Sequence, residues 1–272
     1  MIERAVYSLW TKPMDGKNEH VGFNTEEALF NCFKLSLHYS KQWFKEVHLV
    51  TDIKGKALVE KHGLEFDNIN TDLEDVLKDI DEKHWSLGKI YACKIQDKPF
   101  IHLDNDVIWF KKPPVKLFLK DAAFQNSEKT SWPFYKDMME YDKKHYINRP
   151  KWYNVENIEA YNCGFIAFNK LDFLKKWWEE SLNYIKYIDN TKGNHVLPCL
   201  IFEQHYVGCL CKNYKYSVCI LTDFDPNNNK YEWPTEQLAK ELGYTHLIAG
   251  SKRRPEIEKK VKIKLEKTKL KN

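Results

Sequence analysis

No apolar run in these 272 residues approaches the length of about eighteen that spans a bilayer. No Gly/Ser-rich linker divides the chain, no segment repeats, and only the lysine-rich end approaches low complexity. Seven cysteines, an odd number without framework spacing, exclude a disulfide scaffold and point to reduced thiols in a cytoplasmic setting. Cys199, Cys209, Cys211 and Cys219 with His205 match no common zinc spacing and read as small buried hydrophobes. No glycine precedes Gly16, so the first apolar run is not followed by a glycine-rich phosphate loop.

A net excess of positive charge is lacking from most of the chain. The net charge is +4, yet residues 252–272 hold ten Lys/Arg against three Glu, a net of +7. Residues 1–251 therefore carry −3, and no nucleic-acid partner is expected of them. Core material is plentiful: 43% of residues are hydrophobic and 14% aromatic, which excludes disorder for most of the chain. The opening MIERAVYSLW has charges at Glu3 and Arg4 and a short apolar run, and it reads as a first strand rather than a signal peptide.

The first two-thirds alternate between periods of two and 3.6. Strands are predicted at Arg4–Leu9, Val47–Thr51, Leu64–Ile69 and Phe100–Leu103, and helices at Thr25–Gln42, Ala57–His62 and Ser86–Ile95. That alternation predicts a mostly parallel sheet flanked by helices, with ligands bound beyond the carboxyl ends of its strands. Farther on, Ala122–Gln125, Ile158–Asn169, Ser217–Leu221 and Thr245–Ile248 read as strands, and Leu171–Tyr187 and Leu197–Cys209 as helices. Trp132–Arg149 reads as an irregular, aromatic-rich segment. The expectation is one α/β domain over residues 1–251 and a basic tail over 252–272, helical or disordered.

The stretch FIHLDNDVIWF (Phe100–Phe110) places two carboxylates, Asp104 and Asp106, between apolar runs. A buried carboxylate is costly unless a cation or hydrogen bonds compensate it. Residues i and i+2 of an extended chain point the same way, so the pair can converge on one hard divalent cation, Mn²⁺ or Mg²⁺. A polar strand end or an Asx turn is the bland alternative. Asp79–Ile80–Asp81 and Asp223–Phe224–Asp225 share the spacing, the former in a charged segment expected to be helical, the latter before a Pro-Asn turn.

Together with three later stretches, this element resembles GT-A glycosyltransferases, especially the family-8-type enzymes that transfer hexose from UDP-sugars. HLDNDVIWF is similar to the strand-D-x-D element of that family. YNCGFIAFN (Tyr161–Asn169) resembles its N-x-G strand, FEQHY (Phe202–Tyr206) a D-Q pair with Glu203 in place of Asp, and THLIAGSK (Thr245–Lys252) an H-x-x-G-x-x-K element with the Gly shifted by one. The four occur in the family's order.

The resemblance implies a GT-A (Rossmann-like) fold and a metal held by Asp104, Asp106 and His246. It implies donor contacts at Asp104, Asn105, Gly164 and Lys252. Asn162, Glu203 and Gln204 would surround the anomeric carbon, with transfer by retention. Lys89 lies where the family has a basic residue reaching the donor; a solvated helix lysine is the other reading. Ser8, Trp10 and Thr11, at the exit of the first strand, would flank the base, although Trp10 serves equally as a core residue. A metal and Lys252 would both stabilise the leaving diphosphate. Were the reaction inverting, Glu203 could act as base.

A sugar-phosphate nucleotidyltransferase would need the phosphate loop that is lacking, and a non-catalytic carbohydrate-binding module on the same fold is the remaining alternative. Aromatics at Trp132, Phe134, Tyr135, Trp152 and Tyr153 suit either a carbohydrate platform or ordinary core packing. The acceptor expected is a glycan or a lipid-linked glycan. In the tail, Ile257, Val261 and Leu265 recur every four residues, a helical stripe flanked by lysines, while Val261, Ile263 and Leu265 also alternate as an edge strand would. Peripheral contact with an anionic membrane on its cytoplasmic face is the functional reading of that tail, and a solvated terminus the bland one.

Overall fold

Residues Arg4–Leu9 (β1) alternate poorly because both faces of the strand are covered, and Ala5, Val6 and Tyr7 are fully buried. The computed structural model of the protein describes residues 2–15, 20–153, 159–189, 198–222 and 236–269. They fall into two compact units, the first made of residues 1–83, 100–114 and 230–272 and the second of residues 84–99 and 115–229.

In the first unit β1 lies between two parallel neighbours, Glu46–Thr51 (β2) and Phe100–Leu103 (β4), and β2 pairs in parallel with Asn68–Asn70 (β3). A separate antiparallel ribbon joins Val107–Trp109 (β5) to Tyr244–His246 (β11). Helix Glu26–Trp43 (α1) starts at Thr25, whose hydroxyl accepts from the Ala28 amide at 3.0 Å. Its buried face carries two serines for a reason: Ser36 and Ser40 each bond the buried Tyr7 hydroxyl at 2.7 Å. Ser36 also donates to the Val107 carbonyl and Trp43 to that of Trp109 at 2.8 Å, which anchors β5 to α1. Helix Ile53–Lys61 (α2) begins four residues before the predicted start, because Asp52 caps it through the Gly55 amide at 2.7 Å. The third strand, predicted at Leu64–Ile69, forms only at Asn68–Asn70, followed by the short helix Leu73–Val76 (α3).

The second unit opens with Leu87–Lys94 (α4), as predicted within a residue. Its sheet sets Ala122–Phe124 (β6) between a parallel partner, Val218–Ile220 (β10), and an antiparallel one, Phe165–Phe168 (β9); Ser127–Glu128 (β7) pairs with Ala160–Tyr161 (β8). The expected continuous strand through Asn169 is thus two strands, broken where the Asn162 side chain accepts from the Gly164 amide at 3.0 Å. Its expected first residue, Ile158, lies outside the described residues. The segment read as irregular contains a helix, Pro133–His145 (α5), with Pro at its start and basic residues in its last turn. Tyr135, Met138, Met139 and Asp142 form its buried stripe, and the carboxylate among them hides the helical period in the sequence.

Helix Leu174–Asp189 (α6) packs its tryptophans inward. Pro198–Leu200 (α7) and Tyr206–Asn213 (α8) are joined by a π-helical turn at Ile201–His205; the predicted start at Leu197 lies outside the described residues.

After Glu236–Leu242 (α9), the first unit closes with Pro255–Lys269 (α10). The tail is therefore helical, with Val261 buried against α1, Ile263 left 41% exposed, and Lys262 bridged to Glu27 of α1 at 3.2 Å. Parallel pairs predominate, as the α/β alternation predicts. Among the described residues no helix is long and apolar enough to cross a membrane.

Candidate functional site

Asp104 and Asp106 converge, but not by lying on an extended strand. The chain turns after β4, the Val107 amide donating to the Asp104 carbonyl at 3.0 Å, and β5 begins beyond the turn. Pairing of β11 with β5 sets His246 opposite Val107, and the Leu247 amide donates to the Asp106 carbonyl at 3.1 Å. One ligand atom each from Asp104, Asp106 and His246 therefore lies within 4.8 Å of the others. Asp106 is buried and Asp104 partly exposed, its side chain 26% accessible.

Lys252 completes this cluster. Its ammonium lies 2.6 Å from Asp106 Oδ2 and 3.1 Å from the Val21 carbonyl, and 5.4 Å from the Phe23 ring centre. Val21 itself has φ +52°, an unfavourable value for a β-branched residue, and strain of this sort gathers where backbone geometry serves a site. Asp106 Oδ1 is buried without a well-formed hydrogen bond, with His246 Nε2 3.4 Å away. Burial pulls the Asp106 carboxyl upward, and the charges of Lys252 and His246 outweigh it and hold the group well below the usual carboxylate range.

Two carboxylates, an imidazole and an unsatisfied buried carboxylate oxygen suit a hard divalent cation. The competing pair Asp79/Asp81 sits exposed, its second carboxylate capping the Lys83 amide at 2.9 Å, and Asp223/Asp225 lies outside the described residues.

The other first-unit residues cluster at strand ends. Ser8 Oγ shares a 3.0 Å hydrogen bond with His102 Nε2, and His102 Nδ1 faces Asp104 Oδ1 at 3.9 Å. Thr11 gives its amide and hydroxyl to Asp52, at 2.7 and 2.9 Å. Trp10 is buried at 8% exposure and Asn105 at 7%. Gly55 is required here: a Cβ would stand 2.0 Å from Thr51 Oγ1. Sequence reasoning missed His102 and Asp52. His102 shares strand parity with Asp104, and Asp52 follows a buried strand as a helix cap, so both left a signal.

In the second unit two sets of polar contacts hold the predicted residues, one around Lys89 and Glu203 and one linking Gly164, Asn162 and Gln204 through Glu128 and Tyr135. The π-helical turn brings the consecutive residues Glu203 and Gln204 both inward, at 1% and 8% exposure. Lys89, far from solvated, lies 2.6 Å from Glu203 Oε1 and donates to the Cys163 carbonyl at 2.9 Å. The Asn162 amide group donates to Glu128 Oε1 at 2.8 Å, and Tyr135 bonds both Glu128 Oε2, at 2.9 Å, and the Gln204 side chain. Glu128 and Tyr135 were not singled out from the sequence; QNSEKTS offers no pattern that distinguishes Glu128. Tyr135 and Tyr153, named for a platform, are core residues, and Trp152 stands edge-on to Tyr206 at 5.0 Å.

The family model described as "Family of unknown function (DUF6734)" matches residues 3–269. No curated protein matches the chain. Among solved structures the chain is similar to mouse xyloside xylosyltransferase 1 in its apo form, with TM-score 0.39 and 13% identity over 81% of this chain and 85% of that one. It is also similar to the galactosyltransferase LgtC in complex with donor and acceptor sugar analogues, with TM-score 0.41 and 14% identity over 90% and 84%. An active-site mutant of LgtC gives 0.42 and 12% over 89% and 86%. At such values the likeness decides no reaction; the side chains must.

Proposed function

This chain belongs to the family DUF6734, and we propose that it is a metal-dependent glycosyltransferase. It would move a hexose from a nucleotide-diphosphate sugar, a UDP-sugar by preference, to a glycan or lipid-linked acceptor with retention at the anomeric carbon. The observation that carries the reading is the convergence of Asp104, Asp106 and His246 within 4.8 Å, beside the Lys252 ammonium. The order of the D-x-D, N-x-G, E-Q and H…G-x-K elements supports it.

Asp104, Asp106 and His246 would hold Mn²⁺ or Mg²⁺, which when bound neutralises charge growing on the leaving diphosphate. Lys252 adds a second positive charge to the same group. Ser8, Trp10, Thr11 and Asn105 hold the nucleoside end, Ser8 through a hydroxyl kept in place by His102. Asn162, Gly164 and Gln204 address the sugar. The bond from the anomeric carbon to the diphosphate breaks with its electron pair, the acceptor hydroxyl oxygen bonds the same carbon, and its proton passes to the leaving group. Glu203 is tied to Lys89 as a buried ion pair, which favours retention over a mechanism needing Glu203 as base.

Calorimetric titration with UDP, with Mn²⁺ and then with chelator, tests the metal site. Affinity should fall in chelator, and Asp104→Ala or Asp106→Ala should abolish the difference, whereas His246→Ala weakens it and exposed Asp79→Ala leaves it intact. Nucleotide affinity indifferent to chelator sinks the assignment. A screen of UDP-, GDP- and CDP-sugars for slow donor hydrolysis separates an enzyme from a binding module.

A further inference from the structure

Glu128, on β7 and 4% exposed, bonds two groups that converge on the sugar-facing residues: Oε1 accepts from the Asn162 amide group and Oε2 from the Tyr135 hydroxyl. That same hydroxyl meets the side-chain amide of Gln204. We propose that Glu128 is a positioning residue which, through Tyr135, fixes which end of the Gln204 amide turns away from Tyr135; the role of Gln204 is taken from the function proposed above.

The reason is a count of protons. A phenol has one proton to give and two lone pairs to accept with. In the structure Gln204 Oε1 faces the Tyr135 hydroxyl, where it would need a second proton, since Glu128 Oε2 already takes one at 2.9 Å. The two ends of an amide are alike in shape, so hydrogen bonding decides their order. A hydrogen bond to a carboxylate is about twice as strong as one between neutral groups. The Tyr135 proton therefore goes to Glu128, and the Tyr135 oxygen accepts from Gln204 Nε2. Gln204 Oε1, with its partial negative charge, is left facing away from Tyr135. That end suits the positive charge that develops at an anomeric carbon; the N–H end would oppose it. Glu203 cannot take over this role while Lys89 holds it at 2.6 Å.

Replacing Glu128 by Gln supplies an N–H donor to the Tyr135 oxygen. Tyr135 then gives its proton to Gln204, and the amide reverses. Two readouts test this. The first is turnover of UDP-glucose and UDP-galactose alongside UDP affinity in Mn²⁺. Glu128→Gln should lower kcat about 100-fold, the size of losing one preorganised polar group, with UDP affinity within about twofold of wild type. Tyr135→Phe should cost about tenfold, one modest hydrogen bond, and the double variant should be no worse than Tyr135→Phe alone.

The second readout needs no substrate: exchange of the Gln204 side-chain amide protons by NMR, assigned by their loss in Gln204→Ala. One proton should be protected in wild type and exchange at least about tenfold faster in either variant, as loss of one hydrogen bond predicts. Equal exchange in wild type and variants, losses that multiply in the double variant, or UDP affinity falling with kcat would each overturn the proposal. If wild type turns over no donor, the transferase reading fails and the exchange measurement still decides the positioning. Should Glu128→Gln not fold, unchanged exchange in Tyr135→Phe is the overturning result.

Discussion

Lys252 and His246 approach opposite oxygens of one buried carboxylate, Asp106, at 2.6 and 3.4 Å. At the proposed metal site, a lysine paired with Asp106 would compete with the metal while helping the phosphate. Lys252→Met should therefore act in two directions: Mn²⁺ alone binds several-fold tighter, and UDP with Mn²⁺ binds about tenfold more weakly, the worth of one charge-assisted contact. Without metal the variant leaves Asp106 short of a buried partner, a loss of roughly 3 kcal/mol seen as a lower Tm that Mn²⁺ restores. Weaker Mn²⁺ binding in the variant would show that Lys252 does not compete.

Asp142 of α5 is fully buried, accepting from the hydroxyls of Tyr153 at 2.9 Å and Tyr184 at 3.0 Å. Burial outweighs these hydroxyls and the nearby Arg149 and lifts its pKa from the usual 3.8 to about 6. The folded state thus holds this proton more tightly than the unfolded chain. Its contribution to stability is complete below about pH 4, shrinks as pH climbs through 6, and above that the ionised carboxyl costs up to ~3 kcal/mol. Asp142→Asn should raise Tm relative to wild type at pH 8 and not at pH 4. Equal shifts at both pH values would refute the assignment of that pKa.

Lys89 and Glu203 form an ion pair at 6% and 1% side-chain exposure. Breaking such a pair leaves an uncompensated charge, so Lys89→Met or Glu203→Leu alone should each lose roughly 3–5 kcal/mol. Together they should recover much of it, because two apolar groups need no partner. Denaturant midpoints of the four proteins give the coupling; additive losses would mean the two charges are stabilised by other groups.

The strands and helices of the parallel core and the Asp104/Asp106 pair were legible because each is signalled by residues close in sequence. Strand Phe100–Leu103 and helix Ser86–Ile95 match the structure within a residue, since burial on both faces and a 3.6 period are written locally. Asp104 and Asp106 stood out as charges at the end of an apolar run, yet what brings His246 to them is the pairing of β5 with β11, more than a hundred residues away. Helix α5 was hidden because Asp142 sits in its apolar stripe, where tyrosines from elsewhere in the second unit donate to it. Glu128 was invisible because its hydrogen-bond partners, Tyr135 and Asn162, are not its neighbours in sequence.

Helix α10 changes what a test of the basic tail must be. Val261 and Leu265, the stripe that could have entered lipid, lie on the side of the helix turned to α1, and Lys264 lies 4.5 Å from the centre of the Phe110 ring. Cutting the chain at Lys252 would strip a covered face of α1 and should lower Tm by several degrees, which confounds any membrane assay. Lys259, Lys260 and Lys267 are exposed instead, around the exposed Ile263. If the tail meets anionic lipid it does so by charge, each lysine contributing about 1 kcal/mol before screening. Changing these three lysines to glutamine should leave Tm and donor hydrolysis unchanged. Co-sedimentation with phosphatidylserine vesicles in 20–50 mM salt, a range of roughly 14–22 Å in screening length, should fall at least about tenfold, and 0.5 M salt should reduce wild type to the same level. Sedimentation of wild type that is absent at low salt, or indifferent to the three substitutions, removes the membrane from the account and leaves α10 as a structural cover for α1.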